Sequence, residues 1–178
     1  PDDFEQAKQI LYRLLSSDTD LIVTTGGVSV GDHDIMADFF MEWSGKTLFN
    51  KIRMRPGSQT SAGMWNDKII FGLSGNPAAC FVGFVLLVRP ALLKMQGAHE
   101  RERTFTALLA VEYKKVNGFT RYVRGMYWID NGTAYVKPVG IDKSSIMTSL
   151  KDANCMIVIP PTGAGIQAGE QVQVIKLY

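Results

Sequence analysis

The stretch that most constrains this chain is Leu21-Ile22-Val23-Thr24-Thr25, which runs straight into Gly26-Gly27-Val28-Ser29-Val30-Gly31-Asp32-His33-Asp34. A run of apolar and β-branched residues without alternation predicts a short, fully buried strand of the parallel kind. Before it, apolar residues at 4, 7, 10, 11, 14 and 15 fall at helical spacing. Asp2 or Asp3 stands where that helix is capped, and Ser16-Ser17-Asp18 breaks it. A second helix is predicted from Ile35 to Trp43. Helix, buried strand, glycine loop, helix is the order of an open α/β sheet, whose ligands bind beyond the carboxyl ends of the strands.

The rest of the chain continues and then changes texture. Thr47 to Arg53, Ser58 to Trp65 and Lys68 to Leu73 read as strands, with turns at Pro56-Gly57 and Asn66-Asp67. Ser74-Gly75-Asn76-Pro77 opens a long apolar helix, in which Pro90 is expected to kink or interrupt the chain and Gly97 to cap it. Beyond residue 98, Arg103 to Tyr113, Tyr122 to Ile129, Ala134 to Lys137, Cys155 to Ile159 and Gln171 to Leu177 read as short strands. Asn131-Gly132 is a tight-turn signal between two of them, and Ser144 to Leu150 a short helix. The expected fold is therefore a partial open α/β domain over 1–98 followed by a small all-β barrel over 99–178.

Several function classes lose support from composition. Lys plus Arg is 19 against 17 for Asp plus Glu, a formal charge of +2, so nucleic acid and acidic membrane surfaces are not expected partners. Any anion site must be a local cluster. The apolar run Ala78 to Val88 ends at Arg89-Pro90; a membrane span takes about 20 apolar residues, so this run is read as a buried helix. Cys80 and Cys155 lie in apolar surroundings and read as buried free thiols, and the expected compartment is the cytoplasm. The acidic start, Pro1-Asp2-Asp3-Phe4-Glu5, has neither signal-peptide character nor a Met, so residue 1 need not be a natural start.

Three segments have the residue types for anion chemistry. In Gly26 to Asp34, paired glycines let backbone N–H groups approach an anion, Ser29 can donate a hydroxyl, and Asp32 or Asp34 can hold a hard cation against phosphate. An ordinary strand-to-helix turn with a capping aspartate has the same spacing. In Lys51-Ile52-Arg53-Met54-Arg55-Pro56-Gly57, an extended backbone from Thr47 to Arg55 would bring Lys51, Arg53 and Arg55 onto one face. Such a face suits a tetrahedral oxyanion, or is a solvated edge. Ser74 to Pro77 is a second loop at a strand end, equally explained by helix capping. Arg121, Arg124 and Lys143-Ser144-Ser145 are candidates only by residue type, and His33 reads as a loop side chain.

Together, Thr24 to Asp34, Lys51 through Pro56-Gly57, Leu73-Ser74-Gly75-Asn76-Pro77, Arg124-Gly125 and Gly140 through Ser145 resemble the molybdopterin molybdenumtransferase family, MoeA and the gephyrin E domain, in its C-terminal portion. The resemblance runs the length of the chain. It implies insertion of molybdenum from molybdate into adenylylated molybdopterin with release of AMP, assisted by Mg²⁺, in a homodimer that works beside a molybdopterin adenylyltransferase. It implies catalytic roles for Asp34, Lys51 and Arg55, and metal ligation by Asp34 and Asp3 (or Asp2). It also implies substrate binding by Gly26, Gly27, Ser29, Lys51, Arg55, Pro56, Gly75, Asn76, Pro77, Arg124 and Ser144. The chain departs from the family where Arg55 replaces a common Lys and Ser74 a common Pro, which puts the local geometry in question. Family members are about twice as long, so an inactive fragment is one expectation. A gephyrin-type peptide scaffold and a stand-alone adenylyltransferase are the alternatives, the latter opposed by residues 99–178.

Overall fold

A computed structural model describes residues 3–27, 35–98, 103–116, 118–140 and 151–178. In chain order the first elements are α1 (Phe4–Leu15), β1 (Leu21–Thr25), α2 (Ile35–Glu42), β2 (Lys46–Phe49), β3 (Met54–Arg55), β4 (Ser61–Trp65) and β5 (Lys68–Leu73). They are followed by α3 (Pro77–Gly83), a π-helical turn (Phe84–Val88) and α4 (Arg89–Met95). The strands β6 (Thr104–Leu109), β7 (Thr120–Asp130), β8 (Thr133–Pro138), β9 (Cys155–Ile159) and β10 (Gln171–Lys176) complete the set. The chain divides into two compact units, Pro1–Ile52 with Gly57–Phe84 and Arg53–Pro56 with Val85–Tyr178.

In the first unit, Asp3 Oδ1 accepts from the N–H groups of Glu5 and Gln6 at 2.9 and 3.2 Å and starts α1 as expected of a capping aspartate. The sheet order is β1-β5-β4-β2, with β1 parallel to β5 and the remaining pairs antiparallel. Asn66, at φ 52°, makes the β4–β5 turn. One side is closed by an aromatic cluster of Tyr12, Phe39, Phe40, Trp43 and Trp65, whose neighbouring ring centroids lie 4.9 to 6.0 Å apart. Gly63 allows this: a Cβ there would stand 2.4 Å from the Trp43 ring.

Two expectations for this unit fail. Strand β1 is not fully buried, because it lies at the end of the sheet with β5 alone beside it among the described residues; Ile22 is 5% exposed but Val23 38%. Nor does one strand run from Thr47 to Arg53. The chain leaves this sheet after Phe49, and Met54–Arg55 pairs in parallel with Thr120–Arg121 of β7 in the second unit.

The apolar helix begins at Asn76, whose Oδ1 accepts from Ala78 and Ala79 N–H at 3.2 and 3.3 Å. The regular α-helix is interrupted just before Pro90, though the helical path goes on. Proline has no N–H for the carbonyl one turn back and crowds it, and the π-helical turn Phe84–Val88 just upstream widens the helix enough to continue to Met95. Gly97, at φ 68°, ends it as expected. By length and composition alone Pro77–Met95, mean hydropathy 1.8, is long and apolar enough to cross a membrane, a test that core helices of soluble proteins also pass.

The second unit is a closed barrel. Strand β7, 11 residues long, pairs with β9 through Arg121–Gly125 and with β8 through Gly125–Asp130. The circuit β7-β8-β6-β10-β9 returns to β7, and β3 adds to it. Leu109, Val136, Cys155, Ile157, Ile159 and Val174, each 0% exposed, fill the interior. Gly125 pairs with both Pro138 and Cys155, and a Cβ there would lie 2.7 Å from Ile157 Cγ1. Beyond it β9 has ended, and Asn154 stands in for a strand: its Oδ1 accepts from Tyr127 N–H at 2.8 Å and its Nδ2 donates to Tyr127 C=O at 2.9 Å. Asn131 and Gly132, at φ 46° and 80°, form the expected turn. The architecture is thus an open α/β sheet and a small all-β barrel, as the sequence predicts. The expected helix at Ser144 to Leu150, with His33 and His99, lies outside the described residues.

Gly165 and Gly169 separate strain from crowding. Both have positive φ, 78° and 86°, but a Cβ at Gly165 would stand 2.4 Å from Tyr113 O while one at Gly169 meets nothing within 4 Å. In urea unfolding, Gly169→Ala should cost about 1–2 kcal/mol from backbone conformation alone. Gly165→Ala should cost distinctly more; equal losses would show that the Tyr113 contact gives way freely.

Candidate functional site

In the first unit two loops leave the carboxyl ends of adjacent parallel strands. Thr25 of β1 registers with Leu73 of β5, and Gly26 N–H donates to Leu73 C=O at 3.0 Å, tying the loops at their roots. Gly26 and Gly27 follow at φ 86° and 66°, a conformation open to glycine, and Gly27 C=O accepts from Met36 N–H at the start of α2. A Cβ on Gly75 would lie 3.1 Å from Gly26 Cα, so the backbones meet without side chains between them. Asn76 caps α3 and Pro77, which has no N–H, is its first residue; the N–H groups of Ala78 and Ala79 donate to Asn76 Oδ1 and that of Cys80 to Asn76 C=O. A cleft of about 240 Å³ borders Thr24 to Gly27, walled by Ile10, Leu14, Val23 and Ile35. Lys51 is exposed. Ser29 and Asp34, with Asp32, lie outside the described residues.

The second unit gathers cations at the β3–β7 pairing. Arg55 registers with Arg121 in a parallel pair, which sets like charges side by side. Such a pair is unfavourable unless an anion or another group offsets it. Arg53 Nη2 donates to Gly118 C=O at 3.2 Å, Arg53 C=O accepts from Thr120 N–H at 3.3 Å, and the Arg55 guanidinium carbon lies 4.8 Å from the Phe119 ring centroid. Pro56 follows Arg55 in this segment.

Arg124 is 7% exposed, the one buried charged side chain among the described residues. The β7–β9 register runs unbroken from Arg121 to Gly125, so strand alternation places Arg124 on the face opposite Arg121 and Arg55. It shares its face with Tyr122, whose hydroxyl burial pushes to higher pKa. Val139 N–H donates to Arg124 C=O at 3.0 Å, which fastens the chain beside it. Arg55 and Arg124 are therefore not brought together within one chain. Ser144, with Lys143 and Ser145, lies outside the described residues.

Sequence reasoning missed Phe119 and Asn154. Neither carries a motif, and each matters through a partner distant in sequence. Asp3 has a different occupation from the metal ligation the resemblance implies: Oδ1 caps α1 and Oδ2 accepts from Gln6 Nε2 at 3.2 Å. Among the described residues no three His, Cys, Asp or Glu groups converge on a metal position.

The two halves of the chain match two family models. Residues 1–94 match one described as "Probable molybdopterin binding domain", and residues 106–177 match "MoeA C-terminal region (domain IV)". A protein of Staphylococcus aureus named molybdopterin molybdenumtransferase is 39% identical over 175 residues, covering 98% of this chain and 42% of that protein. One of the same name from Bacillus subtilis is 44% identical over 160 residues, covering 89% and 37%. Among solved structures, a molybdopterin biosynthesis MoeA protein from Pyrococcus horikoshii superposes with a TM-score of 0.75 at 28% identity, over 99% of this chain and 42% of that one. A molybdenum cofactor biosynthesis protein from Pyrococcus furiosus gives 0.72 at 29% identity, over 99% and 55%. The chain spans less than half the length of the curated relatives it matches.

Both cysteines are free: Cys155 is buried as expected, whereas Cys80 is only half-buried. Burial pushes the Cys155 thiol up to about 12, against a hydrogen bond with the Tyr127 backbone that lowers it, and burial also raises Cys80. A thiol ionises near ~8.5 in an unfolded chain. Cys155 therefore favours the fold fully below that pH, and its contribution is lost as pH climbs toward about 12. Unfolding midpoints should fall between pH 8 and 10.5, and Cys155→Ala should flatten that fall by about 1–2 kcal/mol at pH 10. An unchanged slope would remove Cys155 from the explanation.

Proposed function

The chain belongs to the MoeA-type family of molybdopterin-binding proteins, and we propose that it is the C-terminal portion of a molybdopterin molybdenumtransferase. In this reading the complete protein, in the cytoplasm, takes adenylylated molybdopterin from a molybdopterin adenylyltransferase and molybdate from solution. It cleaves the bond to AMP and passes molybdenum to the dithiolene. The observation that carries the reading is the concentration of arginines on β3 and β7 of a near-neutral protein, Arg55 in register with Arg121 and Arg124 nearly buried on the other face of β7. Two family models in consecutive order, over 1–94 and 106–177, support it, and a boundary at 98/99 is proposed with it.

The roles follow from residue chemistry. Gly26, Gly27, Gly75, Asn76 and Pro77 form a closely approachable backbone surface at the strand ends for the phosphate and pterin portion. Ser29 adds a hydroxyl. Lys51 is a point charge for phosphate, and Arg55, aimed by the turn at Pro56, offers a bidentate fork for molybdate. Arg124 and Ser144 bind molybdate from the barrel. Because Arg124 faces away from Arg55, one pocket holds both only if they come from different copies, which supports a homodimer.

Mg²⁺ is the proposed cofactor, and it would neutralise phosphate charge as the anhydride breaks. Asp3 does not fit as its ligand while both carboxylate oxygens serve the start of α1. Asp34 is the remaining proposed ligand, and one carboxylate with substrate phosphates and waters is an ordinary Mg²⁺ set.

A second reading, a peptide-holding scaffold, draws on a groove of about 410 Å³ on the barrel, lined by Leu108, Trp128, Asp130 and Tyr135. The Trp128 and Tyr135 rings stack there with centroids 5.8 Å apart. Molybdate titrated into the full-length protein, with sulfate as control, separates the readings. Selective binding is expected, weakened at least about 30-fold by Arg124→Ala, with AMP release abolished by Asp34→Ala and by chelation of Mg²⁺. Circular dichroism of both variants should remain that of the folded protein. Molybdate binding no tighter than sulfate, or untouched by Arg124→Ala, would sink the transferase reading.

A further inference from the structure

We propose that Phe119 is a positioning residue for Arg55, holding the guanidinium against its ring so that N–H groups are presented to an oxyanion. The inference rests on the reading in which Arg55 meets molybdate. Arg55 is exposed and sits on a strand of two residues, a setting that by itself leaves a long side chain free to rotate. Ordering such a chain on binding would cost much of its rotamer entropy. Phe119 removes part of that freedom in advance. Its ring centroid is 4.8 Å from the guanidinium carbon, inside the range at which a cation is attracted to an aromatic face.

The backbone on both sides keeps ring and guanidinium in register. Gly118 C=O accepts from the Arg53 side chain, Thr120 N–H donates to Arg53 C=O, and Met54 and Arg55 pair with Thr120 and Arg121. Phe119 immediately precedes β7, so the ring that meets Arg55 is carried by the residue next to the β3–β7 pairing. A guanidinium held against a ring on one side keeps N–H groups open for a bidentate bond to a tetrahedral anion. An ammonium group has no such bidentate fork, so this contact also gives a physical reason for arginine at position 55.

The test is molybdate affinity of the full-length protein measured by titration, which needs no turnover. Phe119→Leu should weaken binding about two- to fivefold, the strength of an exposed cation–π contact. Phe119→Tyr, which keeps the ring, should restore wild-type affinity, and the melting temperature of Phe119→Tyr should match the parent. In an Arg55→Ala background, Phe119→Leu should add nothing. Equal weakening by Phe119→Leu with and without Arg55, or none at all while Arg55→Ala weakens binding, overturns the positioning role and leaves the function standing. An Arg55→Ala protein with unchanged affinity overturns the assignment of Arg55 and this proposal with it.

Discussion

Strand β7 has to serve two neighbours, and most of the barrel follows from how it does so. Its first half is bound to β9 and its second to β8, with Gly125 common to both. Only a residue without Cβ clears Ile157 at that crossing. The strand's backbone groups beyond the end of β9 would be left unpaired at a cost of about 1–3 kcal/mol each when buried. Asn154 meets that need with one side-chain amide that both donates and accepts. The same strand carries Arg121 and Arg124, so the constraints that close the barrel also orient its cations.

Those cations are gathered by strand register rather than by the protein's overall charge. A net charge of +2 leaves no general pull on anions, yet Arg55 and Arg121 are cross-strand neighbours. Opposed like charges cost roughly what a favourable cross-strand pair contributes, a few tenths to 1 kcal/mol. In the first unit what comes together is backbone: a Cβ on Gly75 would lie 3.1 Å from Gly26 Cα.

Much of the local structure was legible. Helix α1 and its Asp3 cap, the turns at Asn66 and Asn131, the helix start at Asn76-Pro77 and strand Cys155–Ile159 each depend on residues within a few positions of one another. The Gly26 and Gly75 loops were legible as strand-to-helix turns for the same reason. Burial of β1 was misread because an apolar run reports what a strand prefers, not whether a second neighbour flanks it. The strand expected from Thr47 to Arg53 stops at Phe49 because alternation cannot reveal that the chain changes sheets there.

The sequence by itself determined the order of elements, the turns and the residue types available for anion chemistry, since these follow from periodicity, backbone preference and charge along a short stretch of chain. Tertiary structure alone decided which of those residues meet. Arg53 and Gly118, 65 positions apart, bind each other. Arg55 lies over Phe119, and Arg124 faces away from both because side chains alternate along β7. Register between distant strands is a property of the packed barrel, where shifting a strand by one residue would turn Ile157 out of the core and Arg124 into it.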